Sequence, residues 1–421
     1  MIETVHQPGS LAKVLLVIAE AGLTIDHLQA IRREQGRTLW EITLEMDEET
    51  DRSLYERIDA LPLAHFVGKS DRVFDRHRGG KIRVVPAMPI NTQQILRDVY
   101  TPGVARVCLA IRKDPEQARA YTGLASTVAI VTNGTAVLGL GNIGALAGLP
   151  VMEGKAALFA SLVDINAMPI LLDETDPAKC VDHICAIASG FGAIQLEDIA
   201  APACFEIEDE LRARLEKPVM HDDQHCTAVV VLAATFNAAR RAGMDLGKSV
   251  IGQIGLGAAG IGIVRLLMHA GLKRVLGSDL DEAAVRRFVS MGGEPVSLGE
   301  IMQKCDVVIA TTGAKGLIKP GMVRKGQIIL ALSNPDPEIE PALALQHGAA
   351  FAADGKGINN VLAFPGLFKG ALAANAKCFT DAMLIAAARS IAAQASGDDL
   401  VPDALNRDVH QAVAAAVQSA V

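Results

Sequence analysis

Residues 249–279 read SVIGQIGLGAAGIGIVRLLMHAGLKRVLGSD. The apolar run Val250–Ile254 predicts a strand, and Gly255-Leu256-Gly257-Ala258-Ala259-Gly260 predicts a tight glycine turn. Ile263, Val264, Leu267 and Met268 then recur at helical spacing until Gly271 stops the helix. Arg274–Ser278 reads as the next strand and ends at Asp279, 19 residues beyond Gly260. Strand, glycine turn, helix and strand open a doubly wound α/β sheet. The helix N-terminus offers unpaired N–H groups and positive dipole to a pyrophosphate. Gly255, Gly257, Ala258, Ala259 and Gly260 are therefore the expected dinucleotide contacts. Asp279 would accept from both ribose hydroxyls and repel a 2′-phosphate, and no cation follows it before Arg286, so the cofactor reads as NAD rather than NADP. The alternative is that these glycines only permit close packing.

Outward from this stretch, further strands are expected at 306–310, 327–332 and near 350–353. Alanine-rich helices are expected at 382–393 and 409–420, packing across the domains. A second glycine fingerprint, Gly139-Leu-Gly141-Asn-Ile-Gly144, follows Ala136–Leu138, but Gly148-Leu149-Pro150 should interrupt any helix within one turn. Close packing is the better reading of that copy. Short strands at 128–131, 136–138, 168–172, 192–195 and 218–220 fill the region before residue 235. The chain divides into an N-terminal module (1–78), a central α/β domain (79–235) and a Rossmann-type domain with C-terminal helices (236–421).

At 421 residues, with 50% hydrophobic and 4% aromatic residues, the chain suits an Ala/Gly/Val-rich α/β enzyme of two or three domains. A net charge of −8 leaves no broad basic surface for nucleic acid or anionic membrane. No apolar run reaches the roughly 18 residues that span a bilayer, and the start lacks a signal peptide's basic and apolar regions. Seven scattered cysteines without a C-x-x-C pair predict reduced thiols and a cytoplasmic protein.

In the N-terminal module a helix begins at Pro8-Gly9-Ser10 with Leu11, Val14, Leu15 and Ile18 on one face. Leu23–Ile25 is a short apolar piece, Glu41–Met46 alternates as a strand, and Ser53–Leu61 is a second helix. This order resembles the ACT regulatory module. The resemblance implies effector binding near the first strand–helix loop, at Gly9, Ser10 and Leu11, with a purely structural or dimerising role as the alternative. Lys69–Arg83, with six basic residues, reads as a solvated linker.

Two acidic groups lie at expected strand ends of the central domain: Glu197-Asp198 and Asp222-Asp223 within His221-Asp-Asp-Gln-His225. Hard oxygen ligands converging there suit Mg²⁺ or Mn²⁺. His221 and His225, four apart, mimic a zinc pair, but Cys226 is the sole adjacent third ligand. Glu197-Asp198 taken alone is an exposed helix start. Lys155 is an ordinary surface charge unless it sits partly desolvated beside a metal, where a lowered pKa would make it a base. Tyr100 taken alone is a packing residue.

Together these pieces resemble the malic enzyme family. YTPGVA (100–105), NGTAVLGLGNIGALAGLPVMEGKA (133–156), LEDI (196–199), HDDQHCTA (221–228), IGLGAAGIG (254–262), ALSNPDPE (331–338) and NNVLAFPG (359–366) carry the likeness in order. The resemblance implies metal ligation by Glu197, Asp198 and Asp223, with Tyr100 and Lys155 as acid and base. It implies Asp222 coupled to Lys155, and Asn334 and Asn360 at the substrate or the nicotinamide. It further implies NAD- and metal-dependent oxidative decarboxylation of malate, in a homodimer or higher homo-oligomer. Cys226 stands where the family usually has glycine, so its Cβ is expected to crowd the backbone near the metal. Ala136 stands where larger members carry a substrate arginine. The alternatives are an oxidative decarboxylase of another hydroxy acid, or a catalytically silent effector-binding protein.

Overall fold

The computed structural model describes residues 1–45, 53–334, 336–397 and 399–421. Met46, closing the expected strand 41–46, and Pro335, within ALSNPDPE, lie outside the described residues. The chain forms two compact units, Met1–Gly79 and Gly80–Val421.

In the first unit, strands Ile2–Val5, Thr24–Glu34, Arg37–Glu45 and Ala64–Phe66 form an antiparallel sheet. The second strand is at one edge, followed by the third, the first and the fourth. Helices Ser10–Glu20 and Ser53–Asp59 bury Val14, Ile18, Leu54 and Ile58 with Ile2. The result is a complete β-α-β-β-α-β unit. The short fourth strand gave no alternating signal, and the piece read as Leu23–Ile25 is an eleven-residue strand with most side chains exposed. Arg72–His77, read as linker, is a short exposed helix capped by the Asp71 carboxylate.

The second unit holds two parallel sheets. The first runs Asn166–Leu171, Thr127–Thr132, Ala193–Leu196, Val219–His221 across its width. The second has Ile251–Ile254 and Val307–Ala310 at its centre. Val275–Ser278 and Glu294–Pro295 lie on one side; Ile328–Ala331 and Phe351–Asp354 lie on the other. The order reverses between Ile251–Ile254 and Val307–Ala310, which opens a crevice outside their carboxyl ends.

Helix Asp222–Ala242 is buried along most of its length and packs on Ala258–His269. The expected division at 235/236 falls inside it, so a continuous helix, not a linker, joins the sheets. The C-terminal helices Phe364–Ala373, Asp381–Gln394 and Arg407–Gln418 pack on one another and reach back to both Asp222–Ala242 and Ala145–Val163.

Ala145–Val163 corrects one expectation. It runs through Gly148-Leu149-Pro150 as one helix of 19 residues. An internal proline costs about 3 kcal/mol. Met152, Phe159, Leu162 and Val163 are all buried, and each such side chain is worth about 1.5–3 kcal/mol, so tertiary burial prevails. The helix is also long and apolar enough to cross a membrane by length and composition, which the broken reading of this region hid. Its buried face packs into the core. Phe159 packs edge-on to Phe364 and Phe368 with ring centroids 4.9 and 5.6 Å away, and the same helix carries Glu153 and Lys155.

Candidate active site

Parallel pairing of Ala193–Leu196 with Val219–His221 sets Leu196 opposite His221. The residues that follow, Glu197-Asp198 and Asp222-Asp223, therefore emerge side by side at one sheet edge. Asp222 and Asp223 open the long helix, where the backbone dipole favours carboxylates. Asp198 turns the chain with φ +53°, a left-handed geometry, and its carbonyl accepts from Ala136 N at 3.0 Å. One carboxylate oxygen from each of Glu197, Asp198 and Asp223 lies within 4.8 Å of the others. Among the described residues no other His, Cys, Asp or Glu set converges this way. The donors are all hard oxygens, and Glu197 and Asp198 are buried. Such a set fits Mg²⁺ or Mn²⁺ and does not fit zinc. His225 is also turned away, with Nε2 2.8 Å from Glu208.

Lys155 is buried and meets this cluster from its own helix. Its Nζ donates to Asp222 Oδ2, lies 3.0 Å from Glu197 Oε1, and sits 4.5 Å from the centroid of the Phe364 ring. Asn360 Nδ2 also donates to Asp222 Oδ2, so one fully buried carboxylate ties base and amide together. Burial alone would lower the lysine. The charges of Asp222, Glu197 and Asp223 overcome it and hold the ammonium above its ordinary range. A lowered value was expected beside a bound metal; without one, these three carboxylates hold the lysine charged. The same surplus appears on Glu197, which burial and the other acids push well above the usual carboxylate range despite Lys155.

The dinucleotide fingerprint takes three distinct glycine roles. Gly255 has φ +89°, and a Cβ there would lie 2.6 Å from Thr311 O. A Cβ on Gly260 would lie 1.9 Å from Gly255 O, so only glycine lets the helix pack on the strand. Gly257 faces open space, where a phosphate can approach the backbone. Asp279 closes the next strand, and its carboxylate accepts from Leu256 N at 2.5 Å and Asp281 N at 2.8 Å. The acid thus braces the glycine loop itself. The first fingerprint makes turns at positive-φ Gly141 and Gly144, and a Cβ on Gly139, Gly141 or Gly144 would meet nothing within 4 Å, which corrects the close-packing reading of that copy.

Tyr100 is 67% exposed after the helix Gln93–Val99 and stands outside the hydrogen-bonded cluster around Lys155. Asn334 is exposed beyond Ile328–Ala331 and likewise outside it. Cys226 is buried in the core beside Asp222 and Lys155, and burial pushes its thiol well up. Gly9 is left-handed at φ +85° before the first helix, and the Ser10 hydroxyl is buried without a hydrogen-bond partner.

Sequence reading missed Glu208. Buried on Ala203–Arg214, it accepts from Gln224 Nε2 at 3.1 Å and pairs with His225, anchoring the turn that presents Asp222 and Asp223. Burial would raise this carboxyl, but His225, His221 and Arg212 hold it below its ordinary value. One glutamate among Glu206, Asp209 and Glu210 on the same helix gave no signal of this.

Two family descriptions match: "Malic enzyme, N-terminal domain" over residues 79–212 and "Malic enzyme, NAD binding domain" over 352–421. NAD-dependent malic enzyme 1 of Bacillus subtilis is 52% identical, with 100% of this chain and 96% of that protein aligned. The chain belongs to the malic enzyme family. NAD-dependent malic enzyme of Geobacillus stearothermophilus is 38% identical over 98% of this malic enzyme and 91% of its own length. Among solved structures, NAD-dependent malic enzyme of Thermotoga maritima superposes with a TM-score of 0.79 at 36% identity, covering 84% of this chain and all of that one. Malic enzyme of Pyrococcus horikoshii gives 0.77 at 39% identity, over 81% and 86%.

Proposed function

We propose that this malic enzyme oxidatively decarboxylates (S)-malate to pyruvate and CO₂ with reduction of NAD⁺, dependent on a divalent cation. The observation that carries the reading is the buried Lys155–Asp222–Asn360 group beside the Glu197, Asp198 and Asp223 carboxylates, at the edge of a sheet joined to a dinucleotide fold.

Glu197, Asp198 and Asp223 would hold Mg²⁺ or Mn²⁺, which when bound supplies Lewis acidity toward the hydroxyl and carboxylate oxygens of the substrate. NAD⁺ on Gly255, Gly257, Ala258, Ala259, Gly260 and Asp279 would supply the hydride acceptor. Lys155 is the base for the C2 hydroxyl, oriented by Asp222 through their hydrogen bond. A cation on Glu197 and Asp223 would offset two of the three carboxylates that hold the ammonium up, leaving burial to lower it. Phe364 excludes water from one side of the amine. Asn360, fixed on Asp222, and Asn334, at the mouth of the crevice, are assigned to substrate and the nicotinamide end. Tyr100, whose ring is exposed, is assigned the proton that C3 receives after CO₂ leaves.

The unit at 1–78 is assigned a regulatory role. The unbonded Ser10 hydroxyl beside left-handed Gly9 supports an effector loop at Gly9, Ser10 and Leu11. Exposed Leu96, Val99 and Leu109, on helices that bury nothing, support a homodimer or larger assembly. All seven cysteines are free thiols, which supports a reducing compartment such as the cytoplasm.

NADH formation with L-malate, NAD⁺ and Mn²⁺, repeated with NADP⁺ and with chelator, tests the reading. Malate-dependent, chelator-sensitive turnover that prefers NAD⁺ is expected. Turnover preferring NADP⁺ would refute the role of Asp279, and turnover only with tartrate or isocitrate would refute malate as substrate.

A further inference from the structure

Glu338 is wholly buried, and the reading above gives it no role. No ion pair of the described residues includes it; Lys315, on the neighbouring loop, pairs with Asp336 at 2.8 Å instead. Its carboxylate is met by neutral donors. Oε1 accepts from Thr312 N at 2.7 Å, Thr312 Oγ1 at 2.8 Å and Ser333 Oγ at 2.5 Å. Oε2 accepts from Ser333 N at 3.3 Å.

Glu338 accepts all four of these bonds, so the direction of each is set. The Thr312 and Ser333 hydroxyls must spend their protons on Glu338. Their oxygens are then left to accept, and they do: Thr312 Oγ1 from Ala314 N at 3.1 Å, Ser333 Oγ from Gly313 N at 2.7 Å. One side chain thereby sets three successive backbone N–H groups, 312 to 314, and both the N–H and the hydroxyl of Ser333. Buried hydrogen bonds in a low-dielectric interior strengthen one another, so the network acts as a unit.

The place matters as much as the bonding. Thr312–Ala314 follow Val307–Ala310, one of the two strands at the switch point of the second sheet. Gln253 Nε2 joins this loop to the glycine turn, donating to Thr311 Oγ1 at 2.9 Å and Gly255 O at 3.0 Å. Ser333 directly precedes Asn334. The Glu338 network therefore shapes the wall of the crevice that faces the fingerprint, and the base from which Asn334 projects.

We propose that Glu338 is the positioning residue of the cofactor crevice, holding Thr312–Ala314 and Ser333-Asn334 in the geometry that binds the nicotinamide dinucleotide. It rests on the function proposed above and touches neither metal nor substrate. In Glu338→Gln one oxygen keeps its acceptor role, while the amide points a donor at Ser333 N and the fixed polarity is lost.

The test titrates NAD⁺ into the full-length chain with Mn²⁺ and no malate, then measures both KM values and the melting temperature. Glu338→Gln is expected to raise the Kd and KM for NAD⁺ about tenfold, equivalent to about 1.4 kcal/mol, with KM for malate within about twofold. Ser333→Ala is expected to raise the NAD⁺ Kd about threefold, and the double variant to be no worse than Glu338→Gln, because both act through one network. An NAD⁺ Kd within about twofold of wild type in Glu338→Gln overturns the proposal, as does an equal rise in both KM values with a lowered melting temperature. If Glu338→Gln does not fold, Ser333→Ala decides: an unchanged NAD⁺ Kd overturns the proposal. A wild-type protein that binds NAD⁺ without oxidising malate refutes the proposed reaction and leaves the Glu338 comparison standing. One that binds no NAD⁺ overturns both.

Discussion

Replacing Lys155 with methionine separates what the lysine does for catalysis from what it does for folding. In the metal-free protein Asp222 is 0% and Glu197 2% exposed, and Lys155 is the cation that reaches both. Methionine fills similar volume but leaves two buried carboxylates facing each other without it. Removing one partner from a buried ion pair costs about 3–5 kcal/mol, because the remaining charge keeps its desolvation penalty. Lys155→Met should lose about that much in urea unfolding of the chelated protein. Lys155→Met with Asp222→Asn should recover part of it, since the amide carries no charge and can still accept from Asn360; couplings of about 0.5–3 kcal/mol are usual for such contacts. Added Mn²⁺ should also restore stability to the single variant. Turnover should fall about 10²–10⁴-fold in the single variant at every pH, and the stabilising second substitution should not restore it. A metal-free Lys155→Met protein destabilised by less than about 1 kcal/mol would refute the reasoning. So would a double variant less stable than the single one.

Asp223→Asn should weaken Mn²⁺ binding by at least about 10–100-fold in calorimetry while leaving NAD⁺ affinity near wild type. The metal-free protein should lose stability as pH rises. Glu197 is raised above its ordinary value of 4.5, so its contribution is full below that pH and is lost as pH climbs through the raised value. Melting curves across pH should show this slope, at most about 1.4 kcal/mol per unit, and Glu197→Gln should flatten it. Asp279→Ala should raise KM for NAD⁺ about tenfold or more with KM for malate unchanged, because ribose acceptor and loop brace are lost together; equal effects on both substrates would argue against it.

The dinucleotide fold was legible because its signals are local. The strands at 250–254, 274–278, 306–310 and 327–332 all form within a residue or two of their expected ends, since short buried strands bounded by glycine and charge leave few alternatives. The metal carboxylates were legible because each pair follows a strand directly. Ala145–Val163 was misread because Gly148 and Pro150 outweigh their neighbours locally, and only burial of Met152 and Phe159 reverses that. Glu208 and Glu338 were missed for a different reason. Glu208 takes its hydrogen-bond partners from 221–225 and Glu338 from Thr312 and Ser333, contacts between distant segments that only the fold brings together.

The sequence alone determined the strand order of the dinucleotide fold from 250 to 332, the glycine turn with its following acid, and the residue types able to hold a divalent cation. These depend on periodicity and nearest neighbours, which a linear chain carries in full. The tertiary structure decided that Lys155 and Asn360 meet on the one buried Asp222 carboxylate, that without metal three acids hold the lysine charged, and that Tyr100 and Asn334 stand apart from them. Those outcomes depend on electrostatic and packing energies between groups tens to hundreds of residues apart in sequence, which act only once parallel pairing has brought the strand ends together.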